Sequence, residues 1–284
     1  MPSTDFEYLT GSITGANGVT IGYRQMGGGP AVILVHGAMM TSQSFMRLAQ
    51  MLADKFTVYI PDRRGRLSSP YSGNDLGLAT EAADIKALVE HTGAQRIFGL
   101  SSGAVLTLQV ALLTPSITKV ALYEPPLPDG HVNDGNWYED YENAIAKQRH
   151  GRAFVSLIRG TTRNLAFRII PLFITAPLMG KFVEKHDAKP GDVKFKELLP
   201  TFRNDYRIVS EAENLIDEAK NLKADVLLLS GSKSPRYLKD ILKKLGENIR
   251  RARLIEFEGV GHTAADNNGK PEMVAAALKI FFAE

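Results

Sequence analysis

Apolar runs of strand length alternate with helix-period segments along the first third of the chain and again along its last quarter. "VTIGYRQMG", "AVILVHG", "TVYIPD", "RIFGLS" and "KVALYEPP" have strand character. Between them lie "SFMRLAQMLADKF", "LATEAADIKALVEHTG" and "SGAVLTLQVALLTP", whose apolar residues recur at helical spacing. Strands this uniformly apolar are buried on both faces, which predicts an α/β fold: a mostly parallel sheet with helices on both sides. The rhythm stops after Pro126 and resumes at "ADVLLLSG", "PRYLKDILKKLG", "ARLIEFEG" and "PEMVAAALKIFFAE". The expected organisation is one core, residues 1–126 and 224–284, interrupted by a helical insertion over 127–223.

Bulk properties narrow the function. The net charge is +3, too weak a basic bias for a nucleic-acid binder, and the clusters Lys147–Arg152 and Lys243–Arg253 read as solvated helix surface. With no cysteine, disulfides, thiol chemistry and cysteine-held metals are excluded. The start "MPSTDFEYLT" lacks the pattern of a signal peptide. The most apolar stretch, Phe167–Gly180, is too short for a membrane span and is broken by Pro171 and Pro177. A cytoplasmic location and no membrane span are expected. No residue pattern calls for a metal or cofactor, and the oligomeric state has no sequence signal.

The chemistry starts at "FGLSSGA". Gly99-Leu100-Ser101-Ser102-Gly103 fits G-x-S-x-G between a predicted strand and a predicted helix. A tight strand-to-helix turn there strains the central serine and lifts its hydroxyl out of the sheet, and small neighbours are needed to allow it. A serine needs a base to accept its proton. Among His36, His91, His131, His150, His186 and His262, only His262 follows the last predicted strand, in the glycine-bracketed loop "FEGVGHTAAD". The strand ending "VHGAMM" leaves a loop whose backbone N–H groups can face the serine. The N–H groups of Ala38 and Ser102 are the expected oxyanion donors, with Met39 as the alternative to Ala38. His36 is expected to organise that loop through hydrogen bonds.

Taken in order, these motifs resemble the alpha/beta-hydrolase superfamily, with the insertion as a helical cap. "PDRRGRLSS" is similar to the family's loop after the fourth strand, with Asp62, Arg64, Gly65 and Ser69 in matching places and Leu67 where a glycine is common. The resemblance implies Ser101 as nucleophile and His262 as base. A serine at the elbow disfavours dehalogenase and epoxide-hydrolase chemistry, which uses aspartate there. In most relatives an aspartate follows the strand equivalent to "VLLLSG", but Ser234 occupies that place. Asp225 is at the wrong end of its strand, Asp240 lies within a helix, and Asp266 suits a local loop cap. Glu124 ends the strand after the elbow helix, at the same sheet edge as Ser101 and His262, just before Pro125 and Pro126. Some members, zearalenone lactonases among them, take their acid from this position. Glu124 is the expected triad acid; its structural alternative is a salt bridge to an arginine such as Arg64.

The leading expectation is therefore a cofactor-independent serine hydrolase acting on an ester or lactone. Its substrate would be a small or medium apolar carbonyl compound. Two other readings stand beside it: a C–C bond hydrolase or lyase on the same triad, and a non-catalytic ligand-binding protein that keeps the fold. The insertion's aromatic residues, Trp137, Tyr138, Tyr141, Phe154, Phe167, Phe173 and Phe182, are expected to be mostly core, with some lining the space over Ser101. Its arginines, Arg152, Arg159, Arg163 and Arg168, are expected to be surface groups.

Overall fold

The computed structural model describes residues 7–71, 73, 76–128, 136–161, 170–185 and 193–284. The chain forms two compact units, Met1–Asp129 with Asn204–Glu284, and Gly130–Arg203.

Among the described residues of the first unit, eight strands form one sheet: β1 Leu9–Thr14, β2 Thr20–Met26, β3 Ala31–Val35, β4 Thr57–Pro61, β5 Arg96–Leu100, β6 Lys119–Tyr123, β7 Asp225–Gly231 and β8 Ala252–Phe257. Their order is β1-β2-β4-β3-β5-β6-β7-β8. From β4 to β8 all neighbours are parallel, while β1 pairs with β2 and β2 with β4 antiparallel. Alternation along the apolar strands feeds two cores. Ile33, Val35, Val120, Leu122, Val226 and Leu228 face one, with helices α2 (Leu78–Thr92) and α3 (Ser102–Leu113) and the helix Arg236–Asn248. Val32, Leu34, Phe98, Leu100, Ala121, Tyr123, Leu227 and Leu229 face the other, with α1 (Met46–Leu52) and the helix Pro271–Ala283. A strand with a core on each side cannot alternate apolar with polar, which is why these runs read as continuous.

The structure adds a strand to those expected. β1 pairs with β2 from Leu9 opposite Gln25 to Thr14 opposite Thr20. Its residues are exposed or half-buried throughout, so it has no apolar face to announce it.

The division between the units also differs from the expected 127–223. The chain returns to the first unit at Asn204, because Ile208, Ala212, Leu215, Ala219 and Leu222 join the core that contains α2 and α3. In the second unit the described residues form α4 (Trp137–Ala146), α5 (His150–Thr161) and further helices including Leu172–Lys185. The aromatic side chains there mostly pack on one another. Tyr141 is buried, donates to Leu199 O at 2.8 Å and meets the Phe202 ring edge-on at 5.5 Å. Phe154 stacks on Phe182 at 5.8 Å and packs against Phe195 at 5.3 Å. Phe173 is exposed. Arg152 reaches Asp140 at 3.4 Å, and Arg159 donates to Ile170 O at 2.6 Å. His131, Arg163, Phe167, Arg168 and His186 lie outside the described residues. No described helix is long and apolar enough to cross a membrane.

Candidate active site

Ser101 joins β5 to α3 with φ 57° and ψ −127°, a backbone region that side-chain-bearing residues rarely adopt. Such a conformation costs about 1–3 kcal/mol and persists only where its surroundings enforce it. The Ser101 N–H donates to Tyr123 O at 2.9 Å, and its carbonyl accepts from Ala104 N at 2.8 Å. The turn is possible because its neighbours are small. A Cβ at Gly103 would stand 2.4 Å from the carbonyl oxygens of both Val35 and His36. Backbone cannot yield as a side chain would. Gly103→Ala is therefore expected to lower stability by about 2 kcal/mol or more, measured as a fall in urea midpoint at unchanged m.

Glu124 stands one residue beyond β6 and also has a left-handed backbone, φ 46°. Its N–H donates to Leu229 O at 3.2 Å, which anchors it to the end of β7. The carboxylate is fully buried. Its Oε1 accepts the Gly231 N–H at 2.8 Å, and its Oε2 lies 2.6 Å from His262 Nδ1. The His262 loop is tethered from the end of β6 and from the turn after β7: Tyr123 Oη donates to Gly261 O at 2.8 Å, and the Lys233 N–H donates to Val260 O at 2.8 Å. Arg64, the alternative partner for Glu124, instead pairs with Asp84 at 2.8 Å and donates to Ala16 O at 2.7 Å.

The other carboxylates are occupied elsewhere. Asp225 pairs with Lys119 at 3.0 Å and with Arg251 at 2.7 Å. Asp240 lies in the helix Arg236–Asn248, 3.8 Å from Arg236. Asp266 accepts the Asn268 N–H at 2.7 Å within its own loop, and burial pushes its pKa up. Ser234 is buried, and its hydroxyl has no hydrogen-bond partner.

After β3, His36 is fully buried. Its Nε2 accepts the Arg63 N–H at 3.3 Å, which assigns the ring proton to Nδ1, 3.1 Å from Gly37 O. Burial, then the guanidinium groups of Arg66 and Arg63, push the His36 pKa well below the ordinary value, so the ring stays neutral. Met39 in the same loop has φ 53°. Ser102 is the first residue of α3, so its N–H has no acceptor inside the helix. Leu67 holds φ 39°, the region a glycine there would enter freely.

Arg63, Arg66, Glu81 and Asp205 form a buried ionic network around these loops that the sequence did not reveal. Arg63 donates to Glu81 at 2.8 Å and to Asp205 at 2.7 Å. Burial works against charge on Asp205, but Arg66 and Arg63 outweigh it and hold its pKa below the ordinary value. Arg63 and Arg66 both stand in the "DRRGR" loop, and Asp205 lies 142 residues from Arg63. No local pattern links them.

Residues 32–277 match the model of the Alpha/beta hydrolase family. The chain belongs to this family. This alpha/beta hydrolase is 35% identical over 127 residues to N-formylmaleamate deformylase of Pseudomonas putida, covering 42% of this chain and 47% of that protein. The match thus spans about half of that relative's length. Among solved structures it is similar to an alpha/beta hydrolase from Sphaerobacter thermophilus, with TM-score 0.78 and 26% identity over 96% of this chain and all of that one. The enol-lactonase of Burkholderia xenovorans shares the fold, with TM-score 0.70 and 20% identity over 96% of this chain and all of the other.

Proposed function

We propose that this alpha/beta hydrolase cleaves a carboxylic ester or lactone through a Ser101–His262–Glu124 triad and an acyl-enzyme. The observation that carries this reading is the 2.6 Å pair between Glu124 Oε2 and His262 Nδ1. The adjacent residue, Tyr123, holds the strained turn of Ser101 through its carbonyl. A carboxylate on Nδ1 keeps the ring proton there and leaves Nε2 free to accept a proton from serine. In this reading Ser101 Oγ attacks the substrate carbonyl and its proton passes to His262 Nε2. The tetrahedral oxyanion is held by the N–H groups of Ala38 and Ser102, where it gains most from fixed donors. Collapse expels the alkoxide, which takes the proton from His262. Water then attacks the acyl-enzyme by the same route and releases the acid. The place of Ser102 at the N-terminus of α3 supports its role, since its N–H has no helical acceptor and the helix dipole favours negative charge there.

Two similar proteins are named as an enol-lactonase and an N-formylmaleamate deformylase, and an ester- or lactone-cleaving reading is in keeping with those names. The test is a panel of p-nitrophenyl esters of rising chain length, five- and six-membered lactones, an enol lactone and N-formyl amides. Ester or lactone hydrolysis with an acyl adduct trapped by rapid acid quench is the expected result. A folded enzyme that turns over no ester or lactone of the panel, or that binds them without turnover, would sink the proposal.

A further inference from the structure

We infer that Asp205, with Arg66 and Arg63, is a positioning device for the two N–H groups assigned above to the oxyanion hole; this rests on the proposed hydrolase reading.

One buried carboxylate reaches both sides of that hole. Asp205 Oδ1 accepts the Ser102 hydroxyl at 2.7 Å and Arg63 Nη1 at 2.7 Å. Its Oδ2 accepts Arg66 Nη2 at 2.5 Å. Arg63 Nη1 also reaches Ser102 Oγ at 3.1 Å and His36 O at 3.3 Å. The first residue of α3 is thereby tied by its side chain, and the direction of its N–H is set with it.

The other donor is set through a carbonyl. Arg66 Nη1 donates to Gly37 O at 3.0 Å and reaches Met40 O at 3.4 Å. The chain has no cis peptide bond among the described residues, so the Gly37–Ala38 link is trans. In a trans peptide the C=O and N–H point in opposite directions. Drawing Gly37 O toward Arg66 therefore turns the Ala38 N–H away from Arg66. One ionic network holds both donors, and its charges nearly cancel: Arg63 and Arg66 face Asp205 and Glu81, all buried.

Stability alone is a weak reason for such a network. Burying paired charges costs desolvation that well-packed apolar side chains avoid, and replacing whole networks is often neutral or stabilising. Hydrogen-bonded charges do impose direction, which an oxyanion hole requires and apolar packing cannot provide.

The test uses Ser102→Ala, which removes one hydroxyl and leaves the backbone donor and all four charges, and Asp205→Asn, which removes the central charge. A folded thermal transition is required of each. kcat and KM are measured on the best ester or lactone, with inhibition by an alkyl boronic acid, which forms a tetrahedral adduct on the serine. The expected result is a fall in kcat of about 10-fold for Ser102→Ala and about 100-fold for Asp205→Asn, at most the lower end of the 10²–10³ seen when an oxyanion donor is removed outright. KM should stay within about threefold, and boronate affinity should fall in step with kcat, as for an interaction made only in the transition state. If Asp205→Asn does not fold, Ser102→Ala decides alone. Folded variants that keep wild-type kcat and boronate affinity would overturn the inference, however far their melting temperature falls. A loss confined to KM would overturn it as well. A wild type with neither turnover nor boronate binding would remove the hydrolase reading and this inference with it.

Discussion

Glu124→Gln should lower turnover by about 10³–10⁴-fold while the fold and KM hold, the scale on which a triad carboxylate-to-amide change acts in a serine protease. The geometry supplies the reason. Glu124 Oε1 accepts the Gly231 N–H at 2.8 Å. A glutamine keeps that bond only by turning its oxygen to Gly231, which presents its NH₂ to His262 Nδ1. An NH₂ group donates and cannot accept, so Nδ1 must give up its proton and Nε2 must carry it. A protonated Nε2 cannot take the proton of Ser101. The amide is nearly isosteric, and the buried site loses a charge rather than gaining one, so folding is not expected to suffer. Asp225→Asn and Asp266→Asn should each change turnover less than about threefold, since their carboxylates are engaged with Lys119 and Arg251 or with the Asn268 N–H. A relocation sharpens the test. Ser234 is buried with an unpartnered hydroxyl, in the loop after β7 where the sequence resemblance looked first for an acid. Ser234→Asp on the Glu124→Gln background should recover part of the lost rate. Near wild-type turnover in Glu124→Gln, on an authentic substrate, would end the assignment of Glu124.

A fluorophosphonate should label the wild type once, at Ser101, and Ser101→Ala should abolish both labelling and turnover. The expected rate loss is about 10⁶-fold, comparable to removal of the serine in a protease triad. Intact mass followed by peptide mapping reads the adduct. Backbone strain adds an independent signature. Alanine keeps a Cβ at φ 57°, so Ser101→Ala should leave the melting temperature nearly unchanged. Ser101→Gly removes the Cβ and should raise it, because glycine enters this region freely. Labelling that persists in Ser101→Ala, or a folded wild type that resists the probe, would count against the nucleophile.

The reach of the sequence differed from residue to residue. The strands β2 to β8 and the turn at Ser101 were legible because their causes are local: apolar-rich runs of strand length, helical spacing between them and small residues around one serine. Strand β1 was not, because Leu9–Thr14 buries no face and is held by its ladder to β2. The sequence pattern carries the insertion on to Lys223, since helical spacing in Phe202–Ser210 is the same whichever body the helix packs on. Only the packing of residues such as Ile208 and Ala212 against the α2–α3 core returns the chain at Asn204. Glu124 was reached by elimination and by its place at a strand end, but the bond to His262 spans 138 residues and required both loops in position. For Asp205 the sequence carried no signal. A carboxylate in a helix reads as solvent-facing, and charge has no period that marks its partner. Sequence alone determined the α/β hydrolase fold and where a nucleophile could stand, because those follow from local backbone and burial preferences. Which charges meet beside Ser102 and the loop after β3 was decided by tertiary structure, because ionic pairing depends on distances that exist only after the chain has folded.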